Sequence, residues 1–562
     1  MKYRTMDPAM LGQYGAANKT NQRRWIGQHA NPVAQLAAVS ARCLLLSGSL
    51  LASGAWAANA AVAAADTSRT VAPLYASLAA HPESQVAPQA STTRFTLREF
   101  VSKALASNQS VLSKRNEKVL ADAAVLRASG AFQPVLGVSA INSRSAMQNT
   151  PEEKLLRQGL GIYDRSGQDY SATVSTLLPT GAKVEAKATM SRFLTNITQN
   201  LRGGDAQDYR AFYGLSLTQP LARDAGIDIT NSRIRMAELD LIAATESTRG
   251  TEAGMVAEAI FSYLDMRLAH ARLDAAREKI AMAERLLAQA RALRGGGRMA
   301  DPDVAEVENN LARFHAGLSD ARQAIVERGN KMRALLLSSN KNIPNELETV
   351  DPIPTISRAV PAVDDVIRNA LERHPEYQMR KLMVQREGLQ LAYARNQTLP
   401  RVDLVASYGI NGLALNPQNA FSLGRNGDFP TWTLGVQASM PLGKNRQASA
   451  DLMAAQARKQ DALMSLEGVE ATLVNDIHTS AAVIRESLAR YDLFEQIANR
   501  DAGNLSAQRQ RLAAGRIDIR ELLYTEERII TSRIAMQEQA VANAKGGALL
   551  EMAQGILLEK YK

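Results

Sequence analysis

The chain has 562 residues, 46% of them hydrophobic and 22% charged, which is too apolar for a disordered polymer and ample for a large folded body. Aromatic residues make up only 5%, so packing has to rest on Ala- and Leu-rich helices. A single cysteine, Cys43, excludes a disulfide framework and any cysteine-based zinc cluster. No internal run reaches the ~18 apolar residues of a helical membrane span. The net charge of +10 invites a nucleic-acid reading. Much of it, however, comes from Lys2, Arg4, Lys19, Arg23, Arg24 and Arg42, against Asp7 alone, at the N-terminus. The remainder forms no dense basic block, which argues against nucleic acid as a partner.

Residues 1–57 read as an export leader. Arg42 precedes an apolar run from Cys43 to Leu51, and the small-x-small patterns Ala55-Trp56-Ala57 and Ala58-Asn59-Ala60 follow it. Cleavage is expected near 57–60, leaving 58–95 as a flexible N-terminal segment. Lipid anchoring at Cys43 is disfavoured because the apolar run follows the cysteine instead of preceding it. The competing reading is a buried N-terminal helix.

The body is expected to be one unit written twice, as residues 96–339 and 363–556 around a Pro-bearing linker at 340–362, with a tail at 557–562. Ala104-Leu105 recurs as Ala370-Leu371 and Pro134 as Pro400, both at one offset. Pro220-Leu221 recurs as Pro441-Leu442, and Gly297-Arg298 as Gly515-Arg516. The first unit carries extra residues between its two prolines.

Each unit changes period in the same order. Helical spacing over 96–131 and 363–397 gives way to strands within ~135–219 and ~401–441. Tyr213, Leu215 and Leu217 alternate with polar or small residues, as do Val402, Leu404, Ala406 and Tyr408, and Trp432, Leu434 and Val436. Long proline-free helices are then expected at ~223–293 and ~446–514, with return helices at ~302–339 and ~519–556. A run of about seventy residues reaches roughly 100 Å, which suits coiled-coil rods packed side by side and no compact domain.

From Ala182 to Met190 every odd position is polar and every even one apolar, placing Lys183, Glu185 and Lys187 on a wet face and the other face toward lipid. An unpaired strand edge is not tolerated in hydrocarbon, so such strands must close into a barrel. Four to six strands are too few for a solute-passing barrel, so closure requires several copies of the chain. A soluble sheet with one wet face is the alternative.

The doubled order of helix, hairpin, long helix, glycine turn and return helix behind a leader resembles the TolC family of outer-membrane channels, over about residues 96–556. Gln219-Pro220-Leu221 and Met440-Pro441-Leu442 match its strand-to-helix junctions. Gly297-Arg298 and Gly515-Arg516 match its helix-turn tips, with Asp303-Val304 and Glu521-Leu522 at equal spacing beyond them. The resemblance implies an α+β membrane protein: a homotrimer in outer-membrane lipid whose strands, four or six per protomer, form one β-barrel. A long periplasmic α-helical barrel continues it. It further implies a passive exit duct for efflux or type I secretion, joined through a periplasmic adaptor to an inner-membrane pump or ABC exporter. Two departures stand out. Ser171–Leu178 and Ala182–Met190, around Pro179-Thr180-Gly181, read as a hairpin additional to the family's usual one. Asn108-Gln109 also replaces the common Asn-Pro, although His374-Pro375 keeps the proline in the second unit.

The same resemblance implies a gate at the periplasmic tip, with acidic residues six and nine positions after the second glycine. Here those positions hold Glu521 and Tyr524, an acidic ring and a bulky one in a trimer. Asp303 is a latch candidate, with Arg516 as its expected partner; solvated charge at a helix end is the plainer account. The six histidines (His29, His81, His270, His315, His374 and His478) are scattered singly, and no phosphate-binding loop or nucleophile elbow occurs. No metal, cofactor or enzymatic activity is expected. The rival reading is a soluble exported coiled-coil scaffold or a periplasmic adaptor.

Overall fold

A computed structural model describes residues 92–561 apart from 203–206, 337–345, 360–361, 444 and 515. The expected leader, Cys43, His29, His81 and the tip residue Gly515 lie outside the described residues. In chain order the elements are β1 (Thr92–Phe95), α1 (Leu97–Ser107), α2 (Gln109–Ser129), β2 (Val135–Gln148), α3 (Pro151–Leu156), β3 (Ile162–Leu177), β4 (Lys183–Thr195), α4 (Asn196–Arg202) and β5 (Asp208–Pro220). Then come α5 (Ile227–Thr230), α6 (Ser232–Gly295), α7 (Asp301–Leu335) and β6 (Glu346–Thr349). The remainder is α8 (Val363–Arg373), α9 (Pro375–Gln397), β7 (Arg401–Ala414), α10 (Pro417–Asn426), β8 (Pro430–Ser439), α11 (Arg446–Ala513), α12 (Ile519–Ala553) and α13 (Leu557–Tyr561).

Both first-helix regions, expected to be continuous, are broken once. His374 takes an extended backbone (φ −64°, ψ 122°) ahead of Pro375, because a proline disfavours helical geometry in the residue before it. Asn108 reaches the same geometry (φ −68°, ψ 128°) with no proline after it. Its side chain accepts the N–H groups of Ser110 and Val111, so an N-cap produces the break that proline produces in the other half. Both halves therefore enter their strands along a bent helix.

The long helices α6 and α11 have 64 and 68 residues, about 100 Å each. The first starts at Ser232, later than the expected ~223. Leu221 and Arg223 donate their N–H groups to Val402 and Pro400, Asp224 lies at φ +64°, and Gly226 at φ +95°, a conformation glycine alone adopts without strain. The segment is thereby held to the foot of the sheet before a helix can form. The return helices end at Leu335 and Ala553, short of the expected 339 and 556.

Among the described residues three apolar clusters lie along the rods. Phe100, Val101, Val256, Tyr263, Leu264, Met332 and Leu557 pack at one level; Val366, Leu473, Ile477, Ile484 and Leu550 form a second cluster. The third ties the far helix ends together through Leu286, Leu287, Val307, Leu512, Ile519, Leu522 and Leu523. At the first level the parallel pair β1·β6 sits beside Tyr263, which is only 1% exposed. The Tyr263 hydroxyl donates to the Phe95 carbonyl and accepts from the Asp351 N–H, both at 3.0 Å, and burial pushes its pKa up to about 12. Charge pairs join α6 to α12, as in Arg272–Glu538 (2.6 Å) and Lys545–Asp265 (2.6 Å). Others join α11 to α12, as in Arg528–Asp501 (2.7 Å) and Arg509–Glu526 (2.6 Å).

Candidate functional site

Among the described residues, the strands β2-β3-β4-β5-β7-β8 form one antiparallel sheet in that order. The additional hairpin thus belongs to the same sheet, and the count is six. Its turn at Thr180-Gly181 hydrogen-bonds to Gln219 and Gly226 beside the foot of β5.

Register shows two unlike faces. Leu136, Val174, Ala186, Leu215, Tyr408 and Trp432 stand in one row across all six strands. The adjacent row, on the opposite face, holds Val135, Ser175, Glu185, Ser216, Ser407 and Thr433. Lys183 and Lys187 share the hydroxyl-rich face with Glu185, and Lys183 pairs with Glu185 at 3.5 Å. The apolar face is bare over much of its area: Trp432 is 72% exposed, Val138 75% and Val436 66%. Exposed apolar area of this extent marks a surface built for a non-aqueous neighbour. A short helix absent from the sequence-based expectation, α10, covers one end of that face, its Phe421 edge-on to Tyr213 at 5.6 Å. On the polar face Phe212 lies flat, because a Cβ on Gly214 or Gly409 would overlap its ring. Among the described residues the outer strands β2 and β8 each have one edge with no partner strand.

Pro220 ends β5 and Pro441 follows β8, at the two transitions from sheet to rod. At the opposite end of the rods Gly297 turns α6 into α7 at φ +67°, in the left-handed region where glycine is favoured. The Arg298 guanidinium donates to the Ala513 carbonyl at 3.4 Å, linking the two turns. Between them a cleft of about 380 Å³ is lined by Arg298, Asp303, Arg516 and Asp518. The cation that reaches Asp303 is not Arg516 but Arg520, at 3.9 Å. Arg516 precedes α12, whereas Arg520 lies within its first turn and faces α7. Arg520 also contacts Glu306 at 3.1 Å and pairs with Asp518. Tyr524, one turn further, donates its hydroxyl to the other Glu306 oxygen at 3.3 Å. Glu521 is exposed in the first turn of α12, where the helix dipole favours a carboxylate. Asp303 and Tyr524 are thus brought into one α7–α12 link through Arg520 and Glu306, two residues the sequence reading missed. Their spacing after the glycines, one helical turn apart on facing helices, was the available signal.

Among the described residues no His/Cys/Asp/Glu group is arranged to hold a metal, and no helix is long and apolar enough to cross a membrane. Residues 366–546 match the family model described as outer membrane efflux protein. The matched stretch runs from α8 into α12. Solved structures share the fold as a whole. A membrane protein from Pseudomonas aeruginosa aligns at TM-score 0.55 and 18% identity, covering 82% of this chain and 90% of that one. The Campylobacter jejuni CmeC outer membrane channel gives 0.56 and 14%, covering 82% and 86%. The open state of the Neisseria gonorrhoeae MtrE outer membrane channel gives 0.57 and 15%, covering 82% and 89%. No curated protein matches the chain in sequence. The fold is therefore shared with outer membrane channels such as CmeC and MtrE, in keeping with the resemblance carried by the order of landmarks in the sequence.

Proposed function

We propose that three copies of this chain form an outer-membrane exit channel, with the sheets joined into one lipid-embedded barrel and the rods into a periplasmic tunnel. The carrying observation is the six-stranded sheet with one bare apolar face, one hydroxyl-rich face and two unpaired edges, continuous with rods of about 100 Å. Left in water, Leu136, Val138, Leu215, Trp432, Leu434 and Val436 would each forgo ~1.5–3 kcal/mol of burial, which disfavours the soluble scaffold or adaptor reading. Left in lipid, either free edge would expose unpaired N–H and C=O groups, so the edges must meet other copies. The duct is passive: a periplasmic adaptor and an inner-membrane pump or ABC exporter supply recognition and energy.

The α7–α12 link at the tip serves as the resting latch. Arg520 holds Asp303 and Glu306 of α7, with Tyr524 as a second tie, and three Glu521 carboxylates ring the opening and favour cations. The test is reconstitution of the mature protein in planar bilayers. Small, cation-selective steps are expected, enlarged by Arg520→Ser and reduced in cation preference by Glu521→Gln. A chain that stays in the aqueous phase and conducts nothing would overturn the reading.

A further inference from the structure

We propose a specific joint between copies: β8 of one copy pairs with β2 of the next so that Ser439 faces Ser139. This rests on the barrel reading above and adds the register, the lean and the width of the wall. The argument uses the one place where the two halves already meet, the antiparallel pair β5·β7, in which Thr218 faces Val405. Thr218 stands two residues before Pro220, as Ser439 stands two before Pro441. Val405 stands five residues after Pro400, as Ser139 stands five after Pro134. The end of the second half meeting the start of the next copy's first half is the same joint repeated, and it sets Ser439 against Ser139 of the next copy.

Two independent features agree with that register. Counting from the Ser439–Ser139 pair, Pro430 falls opposite Gln148, and these are the first residue of β8 and the last of β2. The whole of β8 is then paired, with no overhang at the outer end. The faces also agree: Ser139 shares the hydroxyl face with Ser171, Ser439 is two strand positions from Gln437 opposite Asp403, and the apolar positions Ala140 and Ala438 fall side by side.

The lean of the strands follows from the same equivalence. Val135, the first residue of β2, stands in the row of Ser407, six residues beyond Arg401, the first residue of β7. Six residues at ~3.3 Å against four strand spacings of ~4.8 Å give a tilt of about 45°, as closed membrane barrels require. With that tilt, Tyr170, Tyr213, Tyr408 and Trp432 on the apolar face come to nearly one height, an aromatic girdle at one membrane interface. Eighteen strands leaning so make a wall roughly 39 Å across between backbones, within the class that holds an open aqueous bore. Phe212, held flat over Gly214 and Gly409, leaves that bore clear.

Cysteine pairs test the joint. In a Cys43→Ser background, Ser139→Cys with Ser439→Cys places two Cβ atoms ~5 Å apart across the joint, within reach of a disulfide after small adjustment. Val135→Cys with Ser439→Cys, four residues out of register, places them more than ~13 Å apart. After mild oxidation of the membrane-inserted protein, the first pair should move most of the chain to a reducible three-copy band on a denaturing gel, and the second should leave it single. Linking by the second pair, or by neither pair in a protein that is three-copy on a mild-detergent gel, overturns the register while the channel reading stands. A protein that is single-copy in mild detergent overturns both.

Discussion

Val436 and Gln437 are neighbours in β8, yet the two-faced sheet assigns them to different solvents. Val436 is 66% exposed on the apolar face, in the row of Leu404, near the middle of the apolar band. Val436→Arg would set a guanidinium close to the bilayer midplane, at ~2–4 kcal/mol per copy, or roughly 6–12 kcal/mol for a barrel of three. Gln437 stands opposite Asp403 on the wet face, where an arginine gains a cross-strand partner and ~0.2–1 kcal/mol. The assay is folding of purified chains into lipid vesicles against a urea series, scored as the heat-modifiable oligomer. Val436→Arg should lose most of the folded fraction at urea concentrations where wild type is fully folded, while Gln437→Arg should match wild type. Equal losses, or greater loss at Gln437, would refute the assignment of faces.

Three further outcomes follow from the rods. Tyr263→Phe removes the hydroxyl joining Phe95 to Asp351 and leaves the Asp351 N–H unpaired, while the Phe95 carbonyl keeps the Val350 N–H; about 1–3 kcal/mol should be lost, seen as faster hydrogen exchange at Asp351. His374 sits at the α8–α9 break with its Nδ1 unpartnered, and burial holds its imidazole below the ordinary value against the opposing pull of Glu376 and Asp476. The unfolded chain therefore takes up the proton first: stability is full above about pH 6.5 and falls as the medium is acidified below that value, and His374→Gln should lessen the drop in melting temperature. The Arg528 guanidinium holds the Asp501 carboxyl below the usual carboxylate range, so its contribution is present at neutral pH and lost as pH falls below about 4. Asp501→Asn should weaken α11–α12 packing at neutral pH and make little difference in acid, measured by helical ellipticity on heating.

The features legible in the sequence were those written by solvent. Lys183 through Met190 alternate because the two faces of the sheet are unlike, one apolar and one hydroxyl-rich, and that period survives without knowledge of the partners. The rods could be read from a lack of proline over long spans. What escaped detection depends on chain segments meeting. The pair β1·β6 spans only four residues on each side, too few for a period, and its strands are brought together by α6 and Tyr263. Asn108 bends its helix through a cap, a geometry that composition does not announce. Arg520 was overlooked in favour of Arg516 because the choice turns on which side of α12 faces α7, which is set by packing of Ile519, Leu522 and Leu523 into the tip cluster. Helix α10 lies in a loop and owes its position to Tyr213 on another strand.

The central claim is that the free edges of β2 and β8 belong to one closed ring. The most direct measurement is the mass of the detergent-solubilised mature protein by sedimentation, with bound detergent subtracted. A particle of three chains that cannot be extracted without detergent is the predicted result. A stable single chain, released into buffer with its strand content intact, would contradict it.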